Sequence, residues 1–166
     1  MVLLSALMAS CGGGPATASS PLFTGHWRGS YLVRQCLPAG WPSCEVAPEQ
    51  VNQVYPLDLV LTQSGSTVSG TLQVVESPVM TVPVTGTASV NALTIDGNVT
   101  NSVFNRVSTD AIRITRWATT RDNFDRLQGT FSFHWEVLWG PASNPHRSDV
   151  WTLDYDAELL NVVRQP

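Results

Sequence analysis

The feature that most constrains this chain is a hydrophobic period of two, repeated through most of its length. Alternation at that period belongs to a strand with one buried face, whereas a helix repeats near three and a half. It is clearest in Leu57/Leu59/Leu61, Val68/Leu72/Val74, Met80/Val82/Val84, Ile112/Ile114 and Phe131/Phe133/Trp135/Val137. Eight such segments are expected, over 26–35, 54–63, 67–76, 79–88, 92–100, 110–119, 126–138 and 148–158. No segment reads as a helix, although Ala157-Glu-Leu-Leu-Asn-Val-Val163 fits either a helical turn or a continuation of the last strand. The expected class is therefore all-β.

A short internal repeat bears on how the strands close. Val68-Ser-Gly-Thr-Leu72, Val84-Thr-Gly-Thr-Ala88, Ile95-Asp-Gly-Asn-Val99 and Leu127-Gln-Gly-Thr-Phe131 each set a glycine on the same face as its apolar flanks. An inward glycine inside a strand makes room for a bend or a close neighbour. Repeated around a sheet, such positions suit a tightly curled, closed barrel. Some of these glycines also fit hairpin turns, Asp96-Gly97 above all, since Asp-Gly favours a two-residue turn.

Near the start of the domain, Gly25-His-Trp27-Arg-Gly-Ser-Tyr31 precedes the glycine-punctuated meander. This order resembles the G-x-W opening of the lipocalins and related calycin barrels, over most of residues 23–160. The resemblance implies an eight-stranded antiparallel up-and-down barrel, lipocalin-like, with Trp27 packed across the closed end. The chain departs from that pattern in lacking a long helix after the eighth strand. In that respect it looks more like small lipocalin-like bacterial lipoproteins of unassigned role.

The N-terminus speaks to address rather than fold. A short apolar run ends in Ala9-Ser10 and meets Cys11-Gly-Gly-Gly14, an order that resembles a lipobox. Residues 1–10 then read as a lipoprotein signal peptide and Cys11 as the lipidated residue; 11–22 forms a Gly/Ser/Pro tether and 23–166 a single domain. The apolar run is too short to span a bilayer, which takes about 20 apolar residues. The expected location is the bacterial cell envelope, anchored to membrane through the lipid. With Cys11 consumed, Cys36 and Cys44 remain as an even pair in an oxidising compartment, where a disulfide persists. Their spacing is long for a zinc knuckle, and no second cysteine pair accompanies them.

Composition narrows the partners. The net charge is −4, no lysine is present and nine arginines are scattered, so no basic stripe offers itself to nucleic acid. His26, His134 and His146 show no metal-ligand spacing, no cofactor motif occurs, and no G-x-S-x-G elbow sets a base beside a nucleophile. The expectation is a protein that is not an enzyme and carries neither metal nor cofactor.

An eight-stranded barrel is just wide enough to be filled by side chains or to hold one small ligand. Alternation turns Trp27, Tyr31, Val33, Phe131, Phe133, Trp135, Trp151, Leu153 and Tyr155 inward. These aromatics suit a filled core and equally a pocket for an apolar molecule. Tyr31, Phe133, Trp135 and Tyr155 are the ligand-contacting candidates. Arg116 shares parity with Ile112 and Ile114. An unbroken strand aims it inward, toward a ligand carboxylate, Asp154 or the face of Trp27; a strand ending near Thr115 leaves it in solvent. Two functions stay open: a lipid-anchored barrel binding a small hydrophobic ligand, and an envelope protein–protein interaction module with a filled barrel. In the second, the contact surfaces are loops 36–53, with Trp41, and 138–147, with Trp139 and two prolines.

Overall fold

The computed structural model describes residues 22–38, 44, 49–76, 79–101, 108–139 and 150–166. Each expected segment is a strand: β1 (Gly25–Pro38), β2 (Val54–Ser64), β3 (Thr67–Glu76), β4 (Val79–Ala88), β5 (Ala92–Asn101), β6 (Ser108–Arg121), β7 (Arg126–Trp139) and β8 (Val150–Arg164). Consecutive strands pair antiparallel, and β8 returns to β1, closing an eight-stranded barrel. Closure removes the unpaired edges that an open sheet would expose. The residues 157–163 continue β8 rather than turning helical, with a kink at Asn161, whose φ is 51°.

The inward faces are those the alternation names. Leu57, Leu59, Leu61, Val68, Leu72, Val74, Met80, Val82, Val84, Ile112, Ile114, Phe131, Phe133, Trp135 and Val137 are all buried. Trp27, Tyr31, Val33, Leu153 and Tyr155 join them; the side chain of Trp151 lies outside the described residues.

All four repeat glycines lie within strands, so Asp96-Gly97 belongs to β5 and makes no hairpin turn. The reason for glycine is clearest at two of them. A Cβ on Gly70 would overlap the carbonyl oxygen of Val60, and one on Gly86 that of Thr94. At these points the neighbouring backbone occupies the space a side chain would take, and the sheet can coil sharply.

The two ends of the barrel differ. At one end the strands are joined by short turns at 65–66, 89–91 and 122–125, and both the start of β1 and the end of β8 lie there. Trp27, fully buried, packs across this end: its Nε1 donates to the Phe23 carbonyl at 3.0 Å, and the Arg164 guanidinium sits 5.7 Å from the ring centroid. Arg164 also donates to the Thr24 carbonyl. On the outer face nearby, burial works to raise the Asp58 pKa. Hydrogen bonds and charge from His26 and Arg28, each at 2.8 Å, outweigh it and hold the group below the ordinary carboxylate value. The other end carries the connections 39–53, 77–78, 102–107 and 140–149. Cys36 and Cys44 form a disulfide there, with Cα atoms 6.0 Å apart. β1 runs on to Pro38, so the first connection begins later than position 36.

Candidate functional site at the long-loop end

The middle of the barrel is a continuous aromatic stack. Phe131 meets Trp117, Tyr31 and Phe133 at centroid distances of 5.0, 5.3 and 5.7 Å. Phe133 stacks on Tyr155 at 4.7 Å, and Tyr31 lies 5.8 Å from Tyr55. Rings at 4.5–7 Å are in mutual contact, so each side chain here has another ring as its neighbour. Of the five ligand candidates, the barrel therefore brings Tyr31, Phe133 and Tyr155 into one stack. Trp135 is buried nearer the long-loop end, one inward position beyond Phe133 on β7.

Arg116 is not among them. The register of β6 against β7 shifts between Ile114 and Arg116, and this bulge inserts one residue. Parity reverses beyond it: Arg116 is exposed on the outer surface and Trp117 takes the inward place. The strand neither ends near Thr115 nor carries the guanidinium into the barrel. Trp117 Nε1 donates to Thr119 Oγ1 at 2.8 Å, which provides the buried hydroxyl with a partner. Asp154 also faces outward, where its carboxylate meets His134 Nδ1 at 2.8 Å. His26 lies at the short-turn end beside Asp58, well apart from His134 on β7. His146, Trp41 and Cys11 lie outside the described residues, as does the side chain of Trp139.

Two acidic residues that alternation did not single out are buried at the long-loop end. Glu49 reaches in from the first connection and is fully buried; the Tyr31 hydroxyl donates to its carboxylate. Its segment is fastened beside it. Gln50 N–H donates to the Tyr55 hydroxyl at 2.6 Å, and Asn52 N–H to the Val33 carbonyl at 2.8 Å. Asn52 has a φ of 65°, a left-handed conformation that asparagine tolerates better than most residues. Burial pushes the Tyr155 phenol well above its ordinary pKa, and the negative charge of Glu49 adds to the rise. The Glu49 backbone approaches that phenol without a well-formed hydrogen bond.

Asp110, at the start of β6, is 3% exposed. Burial raises its pKa above the ordinary carboxylate value, and the Trp135 indole facing it offsets part of the rise. The indole N–H does not reach it in full hydrogen-bond geometry. A raised carboxylate pKa means that the folded state holds the proton more tightly than the unfolded chain does. Stability therefore falls as pH rises from the unfolded pKa through the folded one, and the penalty is complete above both. Asp110→Asn, which keeps the shape and removes the charge, should raise the urea midpoint at pH 7. The gain should vanish in acid below the ordinary carboxylate pKa. A lower midpoint for Asp110→Asn at pH 7 would show that the charge stabilises the fold.

Parity with Ile112 and Ile114 could have pointed to Asp110. No sequence signal marks Glu49, because a loop residue has no period. Comparison with protein-family models, curated proteins and solved structures found no match.

Proposed function

We propose that this chain is a lipid-anchored envelope protein, tethered to membrane through Cys11 and residues 12–22, whose solid barrel serves as a protein–protein interaction module. The aromatic stack carries this reading, because contact between rings through the middle of the barrel leaves the loops and rim to do the binding. The rim beside the Cys36–Cys44 disulfide supports it further. Leu37 is exposed beside the bridged Cys36, and Val51 and Val54 are exposed where the first connection rejoins the barrel, held there by backbone hydrogen bonds of Asn52 and Gln53 with Val33. A rim held in this way loses little conformational freedom on binding.

A second reading, a small apolar molecule held at the long-loop end, is favoured by one observation. The buried Tyr155 hydroxyl and Trp135 indole N–H have no well-formed hydrogen bond, and a ligand with a polar group would satisfy them. One experiment separates the two. A photo-crosslinking residue at Val51 or Val54 in the full chain, expressed in its own envelope, should give one discrete adduct that a probe at Val60 on the barrel wall does not. In parallel, fatty acids, isoprenoids and planar dyes should leave tryptophan fluorescence unchanged. Saturable fluorescence changes with no rim adduct would replace the interaction module by the ligand-binding barrel.

A further inference from the structure

Among the described residues, the two most exposed large apolar side chains lie in turns at the short-turn end. Phe124 is 77% exposed in the β6–β7 turn and Val90 is 74% exposed in the β4–β5 turn. The turns are tied to one another, since Arg121 N–H at the end of β6 donates to the Asn91 carbonyl at 2.8 Å. The Phe124 turn is itself rigid. Asp122 accepts from the backbone N–H groups of Phe124 at 2.8 Å and Arg126 at 3.0 Å, and from the Arg126 side chain at 2.8 Å. Both acids of this turn are matched by arginines, Asp122 by Arg126 and Asp125 by Arg121. The tip thus presents an aromatic ring and a valine on a framework whose local charges cancel.

Single exposed apolar residues are common and need no special account. Here the position supplies one. The N-terminal chain enters the barrel at this same end, through Phe23, whose carbonyl accepts from the Trp27 indole. The residues 12–21 between Cys11 and the domain can reach at most about 35 Å when extended. Strands of 14 or 15 residues, tilted as barrel strands are, span a height of roughly 35 Å. A lipid on Cys11 therefore holds the short-turn end within about one barrel height of the membrane, and a barrel turned over onto its long-loop end would need the tether near full extension.

We propose that the Phe124 and Val90 turns are a membrane-docking tip that seats the short-turn end on the lipid surface and directs the disulfide-pinned rim away from it. This rests on the lipid anchor at Cys11 and adds a second contact to it. Two side chains are too few to hold a free protein on a bilayer. On a tethered one the contact is intramolecular, and the high effective concentration lets a weak contact persist.

The test uses the acylated full chain in vesicles of phosphatidylethanolamine and phosphatidylglycerol. The disulfide occupies Cys36 and Cys44, so Asn123→Cys or Val54→Cys offers one free thiol for an environment-sensitive fluorophore. Emission at position 123 should shift to shorter wavelength and be quenched by nitroxide-bearing lipid several-fold more than at position 54. Adding the exposed substitutions Phe124→Ser and Val90→Ser should abolish the difference while the protein still floats with the vesicles. Equal quenching at both positions, stronger quenching at 54, or indifference to the two serines would overturn the docking tip with the anchor intact. Failure of the acylated wild type to float would instead overturn the anchor, and the docking tip with it.

Discussion

Trp27→Ala should cost about 3–5 kcal/mol of stability, the range for removing a large aromatic from a packed interior. The loss has separable parts. The ring is fully buried, the Phe23 carbonyl accepts from its indole N–H at 3.0 Å, and the Arg164 guanidinium sits 5.7 Å from the ring centroid. Truncation would leave a buried cavity, an unsatisfied carbonyl and an arginine without the surface it covers. It would also release the segment that leads the N-terminal chain into β1. Trp27→Phe keeps much of the apolar area and loses chiefly the hydrogen bond, a loss nearer 1–2 kcal/mol. Urea titration followed by circular dichroism measures both, and the change should lie in the midpoint rather than the slope. A Trp27→Ala midpoint equal to that of the wild type would mean that the indole does not hold this end closed.

The strand pattern was open to reading because period two survives wherever a strand has one dry face, and closure gives every strand of this barrel such a face. The glycine repeat was equally readable, since a missing Cβ inside a strand signals a neighbour too close to allow one. What defeated the pattern at Arg116 was one inserted residue. At Ile114–Arg116 the bulge exchanges inside for outside, so Arg116 goes to solvent and Trp117 enters the stack. Nothing in the local composition marks the insertion, because the apolar face merely resumes one place later. Asn161 does the same in β8, where the buried side changes between Leu159 and Val162.

Glu49 was hidden for a different reason. Its burial depends on where a connection folds back, which is decided by partners distant in sequence, among them Tyr31 and Val33 on β1. The disulfide was readable from cysteine arithmetic, yet its placement beside an apolar rim needed the three-dimensional register. The candidate contact surface is thus assembled from residues that no single motif joins.

Phe131→Ala should destabilise the barrel by about 3–5 kcal/mol and, unlike Trp27→Ala, should create a binding site. Phe131 is the centre of the stack, touching Trp117, Tyr31 and Phe133. Those partners sit on three different strands, β6, β1 and β7, so they cannot all move inward when the ring is removed. The space left is lined by aromatic and aliphatic groups, and a cavity of that kind stays dry and accepts a small apolar molecule. Benzene should therefore raise the melting temperature of Phe131→Ala in proportion to its occupancy, while leaving the wild type unchanged. This outcome would mean that the native ring fills volume a ligand would otherwise use, as the interaction-module reading requires. If benzene stabilised the wild type as strongly as the variant, the native interior would already hold an accessible apolar space. The weight would then pass to the barrel as a carrier of a small hydrophobic molecule, with Tyr31, Phe133 and Tyr155 as its walls.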